Sequence, residues 1–119
     1  MKKIYMICFI AAILTLTGCE DGENIFSMDR KNVTVSDVDG LRDGTPVRLT
    51  GAIEFGTGEM YQFSDNTGNI PVEIDAEVWI GSGINLASLN FPFQVEIEGE
   101  VDKERDSVTY IDVTRIRLL

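Results

Sequence analysis

Residues Asp43 to Asp75 read DGTPVRLTGAIEFGTGEMYQFSDNTGNIPVEID, and Phe91 to Val113 read FPFQVEIEGEVDKERDSVTYIDV. In the first stretch Val47, Leu49, Gly51, Ile53 and Phe55 alternate with Arg48, Thr50, Ala52 and Glu54. In the second, Phe91, Phe93, Val95, Ile97, Gly99 and Val101 alternate with Gln94, Glu96, Glu98, Glu100 and Asp102. Successive side chains of a β-strand point to opposite faces, so a period of two marks a strand with one face in the core and one in water.

Turn residues cut the rest into further strands. The first firm strand is Pro46 to Phe55, and the glycine in its apolar row, Gly51, predicts a bulge or sharp coil of the kind a small closed barrel needs. Gly56-Thr57-Gly58 is a hairpin loop. It is not read as a phosphate cradle, because no helix follows it. Met60 to Ser64 and Asn69 to Asp75 flank the turn Asp65-Asn66-Thr67-Gly68. The side chains of that turn are read as turn chemistry. The pattern of a calcium loop, with a bidentate glutamate at its end, is absent. The last strand, Ser107 to Leu118, slips phase: Val108 and Tyr110 alternate, then Ile111 and Val113 do, which predicts a bulge near Tyr110.

Two stretches do not alternate. Val33 to Leu41, VTVSDVDGL, reads either as a short helix capped by Ser36, with Val38 and Leu41 three apart, or as a strand over Val33 to Val35. Ala76 to Asn90 holds Trp79 and Gly81-Ser82-Gly83, and is expected to form a short helix and loop capping one barrel end. Trp79 is either a core plug or a ligand platform.

Composition removes several chemistries. The 119 residues carry 20 acidic and 10 basic side chains and no histidine. The commonest general base and metal ligand is therefore missing, and with two cysteines, Cys8 and Cys19, there is no CxxC motif. No metal and no cofactor is expected. The row Glu96, Glu98, Glu100, Asp102 and the negative net charge argue against a nucleic-acid partner, since phosphate neutralisation supplies most non-specific affinity.

The N-terminus, MKKIYMICFIAAILTLTGC, is read as an export signal: Lys2 and Lys3, an apolar run from Ile4 to Leu16 too short for a membrane-spanning helix, then small residues. Its end, Leu16-Thr17-Gly18-Cys19, fits a bacterial lipobox. A small residue enters the peptidase site, and the thiol accepts a diacylglyceryl group before cleavage between Gly18 and Cys19. Residues 1–18 are then the signal, 19–32 an acidic tether and 33–119 the folded domain. Removing the signal leaves eight basic against 20 acidic side chains, a formal charge of −12. A flexible tether of about 14 residues spans roughly 20 Å, beyond the Debye length of about 8 Å, so the acidic domain can hang clear of an anionic lipid surface. Glu20, Asp21 and Glu23 are either a sorting signal or a solvated leader. Two or three acyl chains on Cys19 anchor stably where one does not. The expected location is the bacterial cell envelope, on the periplasmic face of the inner or outer membrane or surface-exposed.

From about Val33 to Leu118 the chain resembles the bacterial OB-fold (BOF) family, the YgiW/YdeI-like stress-tolerance proteins. The matching segments are Leu41 to Thr45, Val47 to Ile53, Tyr61 to Asp65, Val72 to Asp75 with Trp79 following, and Val95 to Lys103. The resemblance implies an all-β fold, a five-stranded Greek-key OB-fold barrel with a short N-terminal helix and a short helix or loop between strands three and four, exported from the cytoplasm. The chain departs from the family, whose members are typically soluble periplasmic proteins, in carrying the lipobox cysteine Cys19, and also in having Ser64 where lysine is usual, a longer segment between Trp79 and Val95, and one extra residue near Thr109.

The functional expectation is a non-catalytic, membrane-tethered envelope module that binds a small molecule, glycan or protein partner and supports stress tolerance. OB geometry places a ligand across the second and third strands and their rim. The candidate ligand-binding residues are Arg48, Gln62, Glu73, Asp75 and Trp79. Two alternatives stand beside it: a pure protein-interaction module, and a hydrolase built on paired carboxylates, Glu73 with Asp75 or Glu96 with Glu98, since residues two apart on a strand share a face.

Overall fold

A computed structural model describes residues 30–103 and 108–119. Lys31–Asn32 form a short strand β1, Val35–Val38 the helix α1, Pro46–Thr57 β2, Met60–Asp65 β3 and Gly68–Glu73 β4. Ala76–Gly81 form the helix α2, followed by a 3₁₀ turn at Leu86–Ser88, and Phe93–Asp102 and Tyr110–Leu118 are β5 and β6. The pairing runs β2–β3–β4–β6–β5 and returns from β5 to β2, while β1 lies parallel against the start of β2. The four antiparallel contacts join β2 to β3, β3 to β4, β2 to β5 and β5 to β6. The β4–β6 contact is parallel.

The inward rows meet at the centre of this ring. Phe63, Leu49, Ile53, Ile74, Ile97 and Ile111 are fully buried. Two glycines let strands approach where a side chain would not fit. A Cβ on Gly51 would lie 2.2 Å from the Ser64 carbonyl oxygen and 2.8 Å from the Phe63 ring, and one on Gly99 would lie 2.3 Å from the Asp112 carbonyl oxygen. Of the bulge or sharp coil expected at Gly51, the bulge does not fall on it; the glycine serves close approach of the strands. The bulge in β2 falls at Glu54, where the register with β3 shifts between Ile53 and Phe55. That extra residue turns Phe55 out of the apolar row, and it is 62% exposed.

The β6 bulge is likewise displaced. Glu98 pairs with Arg115 while Gly99 pairs with Val113, so the unmatched residue is Thr114 and not one near Tyr110. Tyr110 and Ile111 are both buried, and Tyr110 satisfies its hydroxyl by donating to Asp102 Oδ2 at 2.8 Å.

Of the two readings of Val33 to Leu41 the helix is observed. Its N-cap is Thr34 and not Ser36, and the strand before it falls at Lys31–Asn32. The sheet therefore begins before Val33, and Arg30 is already bonded to the barrel through the Gly99 carbonyl. Asp37 Oδ2 accepts from the Thr34 N–H and hydroxyl, both at 3.0 Å. Asp65, in the β3–β4 turn, accepts from the Val35 N–H at 2.9 Å and from the Thr67 N–H and hydroxyl at 2.8 and 2.6 Å. This carboxylate pins α1 to the hairpin while closing the turn, as read from the sequence.

Candidate functional site

On β2, β5 and β6 the outward charges are sorted into pairs. Glu98 stands opposite Arg48 on β2 and Arg115 on β6. It is only 8% exposed although it belongs to the outward row. Arg48 Nε and Nη2 both lie 2.9 Å from its Oε2, and Arg30 Nε and Arg115 Nη1 stand 3.7 and 3.6 Å from its Oε1. Arg48 also donates to Asn32 Oδ1 and faces Glu96 at 3.9 Å, and Arg117 is hydrogen-bonded to Glu96. A carboxylate withdrawn from water is tolerated only with such partners. The lattice ties β1, β2, β5 and β6 together.

The Thr114 bulge decides which way the arginines point. With Ile111 and Val113 inward, an unbroken strand would send residue 115 inward too; the extra residue instead buries Ile116 and turns Arg115 and Arg117 outward. Thr114 itself donates to the Glu98 carbonyl oxygen. The result is a cleft of about 290 Å³ lined by Arg48, Glu96, Glu98, Arg115, Ile116 and Arg117. Over Arg115, Ile116 and Arg117 it adjoins an open groove of about 770 Å³ between α2 and β6, where Asp75, Glu77, Ser82 and Asp112 contribute. One end of this path is basic and the other acidic.

The five residues expected to bind a ligand do not converge. Arg48 lines the cleft, and Asp75 lines the groove while its carboxylate caps α2, accepting from the Val78 N–H at 3.1 Å. Gln62 is on the outward face of the β3–β4 hairpin, where it donates to Asn69 Oδ1 at 2.6 Å. Glu73 ends β4, paired with Met60 and Asp112. Trp79 is not a platform. It is 6% exposed, edge-on to Tyr61 and Phe93 at ring distances of 5.6 and 6.4 Å, because α2 lays its one large aromatic over the barrel end. The carboxylate pairs proposed for catalysis are committed elsewhere: Glu96 and Glu98 to arginines, Asp75 to its helix cap. Cys19 and Gly18 lie outside the described residues.

Sequence reading missed Arg30, Arg115 and Arg117, and took Glu98 for a solvated or catalytic carboxylate, not one enclosed by arginines. The available signal was Arg115-Ile116-Arg117, two cations that share a strand face.

Among the described residues two carboxyls, Asp37 and Asp65, have shifted affinities for protons. Asp37 is held below the usual carboxylate range by the Thr34 N–H and then the Thr34 hydroxyl. For Asp65 burial pushes upward, but the Thr67 hydroxyl and the Val35 and Thr67 N–H groups together outweigh it and hold the carboxyl low.

The ring of five strands, with α2 across one end and a polar outer face, is that of an OB-fold protein. Within that class the chain belongs to the bacterial OB-fold (BOF) family, whose model matches residues 17–118. It is 42% identical over 85 residues to protein YgiW of Escherichia coli K12, a match that covers 71% of this chain and 61% of that protein. The structure of the hypothetical protein ygiW from E. coli superposes with a TM-score of 0.60 at 36% identity, covering 75% of this chain and 96% of that one. More distant neighbours share the fold alone. Replication protein A of U. maydis bound to ssDNA aligns at TM-score 0.57 and 18% identity over 76% of this chain and 73% of that one. The telomere capping protein Ten1 of Saccharomyces pombe aligns at 0.53 and 16% over 75% and 80%.

These neighbours correct the expectation that nucleic acid is no partner. The same fold, in replication protein A, carries single-stranded DNA. The acidic row invoked against phosphate is also not bare, since Glu96 and Glu98 lie under arginines. Net charge alone is thus no ground for the exclusion.

Proposed function

We propose that the protein is a non-catalytic binding module of the bacterial cell envelope, exported by residues 1–18, held at a membrane through Cys19, and serving stress tolerance by binding a ligand along the cleft and groove of β6. The observation that carries this reading is the bulge at Thr114, which spends one extra residue to turn two arginines onto the outer surface. Bulges of this kind re-aim side chains beside functional sites. Export and tethering are supported by the run Ile4 to Leu16 followed by Leu16-Thr17-Gly18-Cys19.

The test has two arms. Cys19→Ala should move the protein from the membrane to the soluble fraction; unchanged membrane association removes the tether. A thermal-shift screen of the purified protein with muropeptides, cell-wall sugars, polyamines and single-stranded oligonucleotides should give at least one hit. A ligand at 100 times its Kd adds about 2.7 kcal/mol of stability. Silence across the panel removes the small-ligand reading.

A further inference from the structure

We propose that the α2 end of the barrel is a docking surface for a segment of a partner protein that carries apolar side chains flanked by lysine or arginine. This surface is separate from the cleft between β2, β5 and β6, and the proposal does not depend on a ligand there.

Strand direction gathers the exposed apolar side chains at this end. The β2–β5 ladder stops where Ile53 pairs with Phe93, so Phe55 and Phe91, two residues further along each strand, leave it at the same end. Phe91 lies against Phe93 at a ring distance of 5.4 Å, and Phe93 lies against Trp79 of α2 at 6.4 Å. Strand β6 finishes here too: Leu118 pairs with Val95, and the Leu119 N–H donates to the Gln94 carbonyl oxygen. Of the six large apolar side chains exposed among the described residues, Phe55, Ile80, Phe91, Leu118 and Leu119 are at the α2 end, and Val108 is at the other. Scattered singly, exposed apolar side chains are ordinary; gathered, they mark a surface that another molecule covers.

Charge decides what covers it. Residues 54–60, 73–94 and 117–119 make up this end. They carry five carboxylates, Glu54, Glu59, Glu73, Asp75 and Glu77, against one cation, Arg117, which is hydrogen-bonded to Glu96. Asp112 and Arg115, across the groove from α2, balance each other in charge. Glu54 accepts from the Ser64 hydroxyl and Asp75 from the Val78 N–H, bonds that leave both negative charges uncancelled. A second copy would bring the same acidic rim against itself, and an anionic lipid surface would be repelled. Residues 19–29 of this chain carry Glu20, Asp21, Glu23 and Asp29 and no base, so they are repelled as well. A cationic segment is drawn to the rim and buries its apolar side chains against Phe55, Ile80 and Phe91.

Tryptophan fluorescence of the full chain reports the encounter, because Trp79, the sole tryptophan, packs against Phe93 beneath this end. The probes are three synthetic peptides of equal length, built of leucine and lysine, serine and lysine, and leucine and glutamate. The leucine–lysine peptide should bind, and the other two should bind at least about tenfold more weakly. Phe55→Ser, Ile80→Ser and Glu59→Gln should each weaken its binding by roughly three- to tenfold. Melting temperatures should hold, since all three side chains are exposed. Val108→Ser and Glu100→Gln change exposed residues away from this end and should leave binding as it was. The proposal is overturned if the serine–lysine peptide binds as tightly as the leucine–lysine one, or if Val108→Ser weakens binding as much as Phe55→Ser. A dimer in sedimentation that Phe55→Ser dissolves would assign this end to a second copy, and tighter probe binding after deletion of residues 20–29 would assign it to the chain's own leader; either result overturns the proposal too.

Discussion

Glu98 shows how one side chain can be misread from pattern alone. Alternation places it on the outward face, and it is there, yet three arginines enclose it. Two of its partners, Arg48 and Arg30, are 50 and 68 positions away in the chain. No local period reports a partner that distant. Removing its charge leaves half-buried guanidiniums facing one another. Glu98→Gln should therefore lose about 3 kcal/mol in urea unfolding, at the lower end of what breaking a buried pair costs, because Arg115 remains solvated. Asp65 offers a test by pH. Its folded carboxyl titrates below the unfolded one, so its contribution is complete above the unfolded value of about 3.9 and is lost as pH falls through the lowered folded value. Urea midpoints measured from pH 6 to pH 2.5 should fall in the acid range, and fall less steeply in Asp65→Asn. Equal slopes would show that the carboxylate does not hold α1 to the hairpin.

Among the elements, the long strands were legible because a period of two sustained over ten residues has few competing explanations. The observed β2, β3, β4 and β5 begin and end within two residues of the expected strands. The bulges were legible in number and not in place. A phase slip says that a residue is extra without saying where the partner strand fails to match it, and only the pairing with β5 puts it at Thr114. β1 was invisible, since two residues in a parallel pair carry no period at all. Gly51 carries no bulge; it clears space for the Ser64 carbonyl and the Phe63 ring. Gly51→Ala should cost about 2–3 kcal/mol by overpacking, read from urea midpoints. A cost near zero would mean that β2 and β3 can part without penalty.

For the whole molecule, fold and family could be read from the sequence because strand pattern and segment order both belong to the ring as a unit. The site was legible only in its ends, Arg48 and Asp75, because what joins them is the face of β6, set by a bulge. The acidic balance described the protein as a whole but misdescribed this face, where arginines are concentrated. The central claim is that binding occurs along β6 between these two ends and not on the β3–β4 hairpin around Gln62. Amide hydrogen exchange tests it directly, comparing the free protein with the protein saturated by the compound that raises its melting temperature most. The expected result is slowed exchange across residues 112–117 of β6 and at the start of α2; slowing confined to residues 60–73 of the hairpin would contradict it.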